Sequence, residues 1–354
     1  MKKIVTLSLA AISSVAILTS CAPKEIPTIR GAFDYADPVK ISERIDALGE
    51  ITDTSKLSEI YHLIYDSKGL TPSEFASLEN YEKVDEAFEA TVDLYNEEDV
   101  KLKVMSFNIR NGEYGNGRME LLLSTIIEES PDLVGLQEAG DSWKPFLKEN
   151  LPDEYIKLGH GRKALGHSEA NYVLFKKDKF ELLDSDTIWM TDTPHELSVW
   201  VDPETGDFGF PRIMTYALLK RKSDGAVFVF ANTHLETDQP AQNHQAYWLT
   251  QFLTERFSEK YPIILTGDFN CTEGSPAYNI ITDYGFEVTN TYGENKRTFT
   301  GYNDEGGNII DFCFINEYVS AVSYKVMPEK INGQFVSDHN AIVAEVLVLP
   351  VVFE

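Results

Sequence analysis

The sequence predicts a mixed α/β domain, in which a sheet-on-sheet sandwich is flanked by helices, preceded by a small all-α helical bundle. From residue 100 onward, short β-rich runs alternate with helical stretches, and several runs are apolar on both faces. Such runs are typical of sheets that are covered on both sides. Between residues 37 and 95, apolar side chains recur at helical spacing instead, which predicts the bundle.

The composition indicates a folded, acidic protein. Its 354 residues are 43% hydrophobic, which is enough to bury a sizeable core and excludes disorder or a fibre. The formal net charge is -26, the opposite sign from that expected of a protein that binds long duplex DNA by neutralising phosphates. Three cysteines are too few for a disulfide scaffold.

The first residues are typical of a secretion signal. Two lysines precede an apolar run from Ile4 to Leu18, which is shorter than the ~20 residues of a membrane span, and small residues before Cys21 resemble the lipobox of bacterial lipoproteins. We expect a signal peptide over residues 1–20, a lipid on Cys21 and a tether over residues 21–36. The protein would then be extracytoplasmic, anchored through its lipid to the membrane of the bacterial cell envelope. An ordinary cleaved signal followed by a free cysteine is the alternative.

Residues 37–95 read as a small helical bundle. Asp37 and Pro38 form a helix start, and the run from Thr71 to Glu74 is a capping box. The apolar stripes gather no ligand set, so they are interpreted as a core. The segment loosely resembles small helical repeats of bacterial surface proteins, which implies a spacer or adhesion-type module and makes it a candidate for binding a surface partner. A domain boundary is expected near residues 95–99.

The second domain is predicted over residues 100–354, with strands and helices alternating. Helices are predicted over Arg118–Glu129, Gln239–Phe257 and Pro276–Tyr284. The predicted strands are Leu102–Phe107, Leu133–Leu136, Tyr172–Phe175, Ile213–Leu219, Val227–Asn232, Ile263–Leu265, Ile309–Ile315 and Ala341–Leu347.

Six of the apolar runs end in, or border on, polar residues. Groups at strand ends are held by a rigid scaffold while they face a cleft. Their carboxylates and amides suit Mg²⁺ or Mn²⁺, with imidazoles left for proton transfer, whereas zinc would prefer more His or Cys. The six motifs are Ser106-Phe107-Asn108, Leu136-Gln137-Glu138, Asn232-Thr233-His234, Gly267-Asp268-Phe269-Asn270, Ile310-Asp311-Phe312 and Ser337-Asp338-His339-Asn340.

In this order the six motifs resemble those of the endonuclease/exonuclease/phosphatase family, over about residues 101–348. That family includes pancreatic-type deoxyribonuclease, abasic-site endonucleases, neutral sphingomyelinases and inositol-phosphate phosphatases. The resemblance implies a four-layer α/β sandwich, with two packed mixed β-sheets between helices, and metal-dependent hydrolysis of phosphoesters.

The resemblance also implies a metal site. Glu138 matches the family's metal carboxylate and Asn108 its neighbour, while Asp338 resembles a further carboxylate of the site and Asp268 is a fourth candidate ligand. A site with few carboxylates suits Mg²⁺, which keeps much of its hydration and leaves room for a phosphate oxygen.

Two groups of residues are expected to activate the attacking water. Because Asp268 and Asn270 are one residue apart, a strand would place both side chains on one face. The resemblance makes Asp268 the group that orients or deprotonates the water and Asn270 a donor to the phosphate. It also pairs Asp311 with His339, which either acts as general base or stabilises charge on the phosphoryl group.

A second dyad is implied on the side of the leaving group. His234 resembles the deoxyribonuclease-type histidine that protonates the leaving oxygen, and Glu169 falls where the family places a glutamate bonded to it. This histidine argues against the abasic-site branch. Arg212 matches an arginine that grips phosphate, with a surface salt bridge as the alternative. The family often carries arginine two residues before the aspartate that matches Asp311, and Ile309 removes that cation.

Five further residues near the motifs have no fixed role. His160, Arg162 and His167 lie in a Gly-rich loop that is placed to line the cleft. Cys271 and Cys313 lie beside the motifs and are interpreted as small buried side chains, with a disulfide between them left open.

These patterns favour a secreted Mg²⁺-dependent phosphoesterase that works by in-line attack of an activated water. The substrate class stays open among lipid head groups, sugar or inositol phosphates, nucleotides and short nucleic acids. An extracellular nuclease is the alternative within this chemistry. A non-catalytic surface-binding protein is the alternative of another class.

Overall fold

The computed structural model describes residues 101–112, 117–223, 225–258, 261–294 and 296–348, together with residues 43, 46 and 47. The chain divides into two units, Met1–Asn96 with Pro350–Glu354, and Glu97–Leu349. In the first unit the three described residues are helical and exposed. The predicted signal peptide, tether and nearly all of the helical module lie outside the described residues. No helix in the described part is long and apolar enough to cross a membrane.

The described part of the second unit is rich in strands. They are β1 (Lys101–Asn108), β2 (Leu133–Ala139), β3 (Tyr155–Leu158), β4 (Ala170–Lys176), β5 (Phe180–Trp189), β6 (Ile213–Arg221), β7 (Val227–His234), β8 (Ile263–Asp268), β9 (Glu287–Val288), β10 (Asp311–Ile315), β11 (Val319–Val326), β12 (Lys330–Ile331), β13 (Gln334–Phe335) and β14 (Ile342–Val348).

The strands form two six-stranded mixed sheets and one short hairpin. The first sheet has the order β11-β14-β1-β2-β4-β3 and the second the order β5-β6-β7-β8-β10-β9, while β12 pairs with β13. Each large sheet has one parallel pair at its centre, β1 with β2 and β7 with β8. The other pairs are antiparallel. The predicted mixed sheets are therefore confirmed.

In the described part of the second unit, four α-helices accompany the sheets. The first has the predicted bounds, whereas the long predicted helix near residue 250 continues after its α-helical part as a π-helical turn over Thr254–Ser258. Short 3₁₀ turns span Ala164–Gly166 and Thr289–Tyr292. The α-helices are α1 (Arg118–Glu129), α2 (Trp143–Asn150), α3 (Gln239–Leu253) and α4 (Pro276–Asp283).

The main apolar core lies between the two sheets. Val104 and Phe175 of the first sheet pack in one cluster with Phe228 and Ile264 of the second. A second cluster joins Trp143, Leu147 and the apolar side of α1 to the first sheet. On the second sheet, Tyr278 of α4 packs edge-on against Phe312 of β10. Helices thus cover both sheets, which gives the expected four-layer α/β sandwich.

A buried polar cluster joins the sheets below one edge of the sandwich. Gln137 of β2 donates to Ser106 Oγ at 2.9 Å and to Asn232 Oδ1 of β7 at 2.7 Å. Thr266 Oγ1 of β8 lies 3.3 Å from the same Asn232 oxygen. Gly135 allows this close approach, because a Cβ there would lie 2.3 Å from Thr266 Oγ1. Buried hydrogen bonds of this kind fix the two sheets in one relative position.

The topology brings the six motifs to this edge. β1 is parallel to β2, and β7 is parallel to β8. The carboxyl ends of the two strands in each pair therefore lie side by side. β10 and β14 run antiparallel to β8 and β1, so their amino ends reach the same edge. Asp311 is the register partner of Asp268, which in turn pairs with His234.

Candidate active site

The motif residues surround a cleft of about 720 Å³. One part of its lining consists of acidic side chains and Arg110. Another part consists of Arg162, Arg212 and the ring of Phe210. The residues that line it are Arg110, Glu138, Arg162, Glu169, Phe210, Arg212, His234, Thr237, Asp268, Asn270, Phe299, Gly301, Tyr302, Asn308, Ile310, Asp338 and His339.

Asp311 and His339 form the predicted pair. His339 Nδ1 lies 2.9 Å from Asp311 Oδ2, and both side chains are buried. The backbone N–H of Asp311 donates to Thr298 Oγ1 at 3.0 Å, which fixes the start of β10. Burial lowers the pKa of His339, but the carboxylates of Asp311 and Asp268 outweigh it and raise that pKa to about 10. The imidazole is therefore positively charged at neutral pH.

Asp268 lies between the two histidines at the end of β8. Its Oδ2 accepts a hydrogen bond from Asn108 Nδ2 at 2.8 Å. The same oxygen is 3.4 Å from His234 Nε2 and 3.6 Å from His339 Nε2. Burial raises the pKa of Asp268 to about 7; the charge of His339 opposes this shift and that of Asp311 adds to it. A carboxyl with such a pKa can take up a proton from water near neutral pH.

The sequence spacing predicted that Asn270 and Asp268 share one face of a strand, and the structure shows that they do not. β8 ends at Asp268, and Asn270 has a left-handed backbone with φ 49°. Its N–H donates to Asp268 Oδ1 at 2.9 Å, which forms an Asx turn. The turn still brings Asn270 into the cleft, where its Nδ2 donates to Leu235 O at 2.9 Å and lies 3.0 Å from His234 Nε2. Phe269 between them is buried, as expected.

The expected dyad of Glu169 with His234 is wrong. Glu169 lies next to β4 in the first sheet and binds Arg162 at 2.7 Å and Asn111 Nδ2 at 3.1 Å. These two contacts hold the carboxylate in the first sheet, while His234 Nε2 faces Asp268 in the second. Burial, followed by the positive charges of Arg212 and Arg162, holds the pKa of His234 well below 6.5.

The predicted metal carboxylates lie near Asp268. Glu138 has a left-handed backbone with φ 59°, at a register shift between β2 and β4, and its side chain lines the cleft. Asn108 Nδ2 donates to Glu138 Oε1 at 3.2 Å as well as to Asp268. Arg110 Nη1 lies 3.9 Å from Glu138 and 3.5 Å from Asp338. Arg110 thus lies beside both Glu138 and Asp338, and Asn108 links Glu138 to Asp268.

Asn108 differs from its predicted role as a metal ligand. Its Nδ2 faces the carboxylates, while its Oδ1 accepts the N–H of Arg110 at 3.0 Å. A metal needs an oxygen donor, so in this arrangement Asn108 positions Glu138 and Asp268 rather than presenting a ligand atom.

The oxygen donors of the cleft fit a hard divalent cation. Ligand atoms of Asp268, Asp311 and His339 lie within 4.8 Å of one another. Asp311 Oδ1 is buried and makes no hydrogen bond among the described residues. Glu138 and Asp338 add two more carboxylates to the lining of the cleft. Oxygen ligands suit Mg²⁺ or Mn²⁺ more than zinc.

Two buried arginines form the opposite part of the lining. Arg212 Nη2 pairs with Glu236 Oε1 at 3.3 Å, and both side chains are about 95% buried, so the surface salt bridge considered above is wrong. Arg162 is equally buried and lines the cleft, unlike its loop neighbours His160 and His167. The sequence analysis missed Glu236. The feature that could have identified it is its position two residues after His234, because alternate residues of an extended chain lie on one face.

Cys271 and Cys313 are buried free thiols. Burial raises the pKa of Cys271 to about 11 and that of Cys313 to about 12. Both therefore stay protonated and act as small apolar side chains, and the disulfide left open above is not formed.

Comparison with known proteins agrees with this geometry. Residues 105–339 match the model of the Endonuclease/Exonuclease/phosphatase family. The chain belongs to this family. Its members are phosphoric ester hydrolases, nucleases and phosphatases among them, that depend on divalent metals. The protein is therefore an enzyme, which removes the non-catalytic interpretation.

Solved structures share the fold over nearly their whole length. An endonuclease/exonuclease/phosphatase from Bacteroides vulgatus is 28% identical with a TM-score of 0.61, covering 70% of this chain and 99% of its own. A mannosyl-6-phosphatase from Bacteroides thetaiotaomicron is 24% identical with a TM-score of 0.62 and the same coverage.

A sequence relative is longer than this chain. The Ccr4 exoribonuclease subunit of Emericella nidulans is 24% identical over 64% of this chain, and the match spans 47% of that subunit.

Proposed function

We propose that this protein is a Mg²⁺-dependent phosphoesterase that hydrolyses a phosphomonoester or phosphodiester by in-line attack of an activated water. The observation that carries the proposal is the position of Asp268, whose Oδ2 lies 3.4 Å from His234 and 3.6 Å from His339. Proton-transfer groups of this kind, placed around one reacting centre, each contribute about 10²–10⁴-fold.

Asp268 and His339 have different roles because their protonation differs. Asp268 has a pKa of about 7 and accepts the proton of the attacking water. His339 keeps its proton, because the pKa of about 10 results from the carboxylates beside it, and it stabilises the negative charge that develops on the phosphoryl oxygens. Asp311 holds the imidazole at 2.9 Å in the orientation that this role needs.

His234 serves the leaving group. Its pKa is lowered by burial and by two arginines, so the free site holds a neutral ring. The negative charge of a bound phosphate offsets Arg212 and Arg162, which raises the pKa of His234 and lets the ring donate a proton to the leaving oxygen. In the free site Asn270 Nδ2 lies 3.0 Å from His234 Nε2 and donates to the neutral ring.

The carboxylates of Glu138 and Asp338, which both lie beside Arg110, would hold the magnesium ion, and Asp268 would remain the proton acceptor. When bound, the ion polarises the phosphate and neutralises its charge. Chelation by EDTA is expected to abolish hydrolysis of p-nitrophenyl phosphate and bis(p-nitrophenyl) phosphate, and Mg²⁺ to restore it. Glu138→Gln should raise the Mg²⁺ concentration for half-maximal activity about 10- to 100-fold, because it removes a charged oxygen ligand.

Glu149→Gln is the matched control, since this residue is exposed near the end of α2. It should leave the magnesium dependence unchanged. Full activity in EDTA, or a Glu138→Gln enzyme with the wild-type magnesium dependence, would count against this site.

A nuclease is the second candidate function, because a relative is named as an exoribonuclease subunit. The net charge of -26 opposes binding of long nucleic acid. Nicking of plasmid DNA or degradation of RNA with Mg²⁺, weakening steeply as salt rises, would support a nuclease. No cleavage at any salt concentration would leave small phosphoesters as substrates.

We also propose that the enzyme is secreted and anchored through a lipid on Cys21, with residues 37–95 as a spacer. The support is the order of lysines, apolar run and small residues before Cys21. In a bacterial host, the wild-type chain should incorporate labelled palmitate and stay in the membrane fraction, whereas Cys21→Ser should do neither. Labelling of the Cys21→Ser protein would rule the anchor out.

A further inference from the structure

The arginine side of the cleft has more hydrogen-bond donors than partners. Arg162 and Arg212 are each 7% exposed. Arg162 Nε, Arg212 Nε and Arg212 Nη1 are buried and make no hydrogen bond within the described residues. Buried donors without acceptors are rare in folded proteins and call for a ligand. Both side chains line the cleft beside His234, so a ligand there meets their positive charge.

Within the described residues, each guanidinium group forms an ion pair with one carboxylate. Glu169 pairs with Arg162 at 2.7 Å and Glu236 pairs with Arg212 at 3.3 Å. Burial, and then the positive charge of Arg212, lowers the pKa of Arg162, so the two groups lie close enough to repel each other. An anion between them relieves this repulsion. The fork of an arginine matches the oxygens of a phosphate.

Phe210 packs against both arginines. Arg162 Cζ is 4.8 Å from the centre of its ring and Arg212 Cζ is 5.8 Å from it. The N–H of Phe210 donates to Glu236 Oε2 at 2.8 Å, so one carboxylate holds both the loop and Arg212. Gly209 allows this contact, because a Cβ there would lie 2.7 Å from the same oxygen. The ring is nevertheless 54% exposed, so part of it is open to a ligand.

The loop that carries Phe210 disfavours a polymer. Val201 and Phe208 pair across a short hairpin, and its tip carries the exposed acids Glu204 and Asp207. Further phosphates of a nucleic acid would meet these charges beside the cleft. The volume of about 720 Å³ is that of a site for a small molecule.

We propose that Arg162, Phe210 and Arg212 form a specificity-determining wall that selects a small phosphomonoester with a ring-bearing alcohol. The two arginines bind the non-bridging oxygens of a terminal phosphate, of which a monoester has three and a diester two. Phe210 stacks against the ring of the alcohol. This inference rests on the proposed phosphoesterase function and narrows its substrate class.

Steady-state kinetics with three esters test the wall. The wild-type enzyme should have a kcat/KM for p-nitrophenyl phosphate at least about tenfold above that for bis(p-nitrophenyl) phosphate. Arg162→Met should lower the monoester value about 30-fold and the diester value by less than about threefold, because the diester loses fewer contacts. Arg162→Lys keeps the charge opposite Glu169, and therefore the fold, and should show the same selective loss in weaker form.

Phe210→Ala tests the stacking contact. It should raise KM for p-nitrophenyl phosphate about fivefold with little change in kcat, and leave KM for glycerol 3-phosphate, which has no ring, unchanged. Phe208→Ala and Lys163→Met are matched controls, because both residues are exposed near the wall without lining the cleft. Neither should alter any ester's kinetics.

The outcomes separate the two proposals. A wild-type preference for the diester, or an equal loss of both esters in the Arg162 variants, overturns the wall. An equal effect of Phe210→Ala on all monoesters overturns the stacking contact. A folded, Mg²⁺-loaded protein that hydrolyses none of the esters overturns the proposed function itself.

Discussion

Replacing Asp268 with asparagine is expected to lower kcat by about 10³- to 10⁴-fold, because the amide cannot accept the proton of the attacking water. The amide keeps the size of the side chain, and its single oxygen can accept from either Asn108 Nδ2 or the N–H of Asn270, so one of these two bonds is lost. Asp283→Asn is the matched control, since that residue is exposed at the end of α4. An Asp268→Asn enzyme that keeps more than about a tenth of the wild-type kcat would remove Asp268 from proton transfer.

The same change should stabilise the metal-free protein. The pKa of Asp268 in the fold is about 7 against an ordinary value of 3.8, so the folded chain holds a proton that the unfolded chain releases. The carboxyl therefore costs stability as the pH rises from about 4 to 7. In EDTA at pH 8, Asp268→Asn should melt at a higher temperature than the wild type, and the difference should shrink towards pH 4. A lower melting temperature at pH 8 would contradict the raised pKa.

The pair of Asp311 and His339 is expected to act as a unit. Asp311→Asn and His339→Ala should each lower kcat by about 10²- to 10⁴-fold, and the double variant should be no slower than His339→Ala alone. The reason is that Asp311 works only through the imidazole that it holds. His167→Ala is the control, because that side chain is 69% exposed. Additive losses would show that the two residues act independently.

The protonation of His339 provides a second measurement on this pair. Its pKa is raised to about 10 in the metal-free fold, so imidazole NMR signals should show the protonated ring at pH 8. Asp311→Asn removes the largest raising influence and should move the titration to lower pH. A neutral His339 at pH 8 in the wild type would assign the ring the role of base instead.

The central strands were predictable from the sequence. β7 and β8 are apolar on both faces and end in polar residues, and the structure places both where expected. The edge strands β5 and β11 were missed, because they are only partly buried and contain several polar residues. Such half-exposed strands resemble loops when only continuous apolar runs are sought.

The site was predictable as a set of residues but not in all its contacts. The pairing of Asp311 with His339 followed from the family resemblance. The ion pair of Glu169 with Arg162 could not be predicted, because it depends on how the loop carrying Arg162 folds back on β4. The orientation of Asn270 depends on a left-handed backbone, which spacing along the chain cannot reveal. Glu236 was missed, since its role appears only where Arg212 and the Phe210 loop meet it.

The buried contact of Gln137 with Asn232 has a consequence for how this enzyme can be divided. Asn108 and Glu138 come from one sheet and His234 and Asp268 from the other, and the contact holds the two sets in register. A fragment that ends between β4 and β7 carries Asn108 and Glu138 but none of the histidines or aspartates assigned to the reaction, and it should show no residual turnover. Complementation by two such fragments would restore activity only after they dock, so activity would report on docking itself.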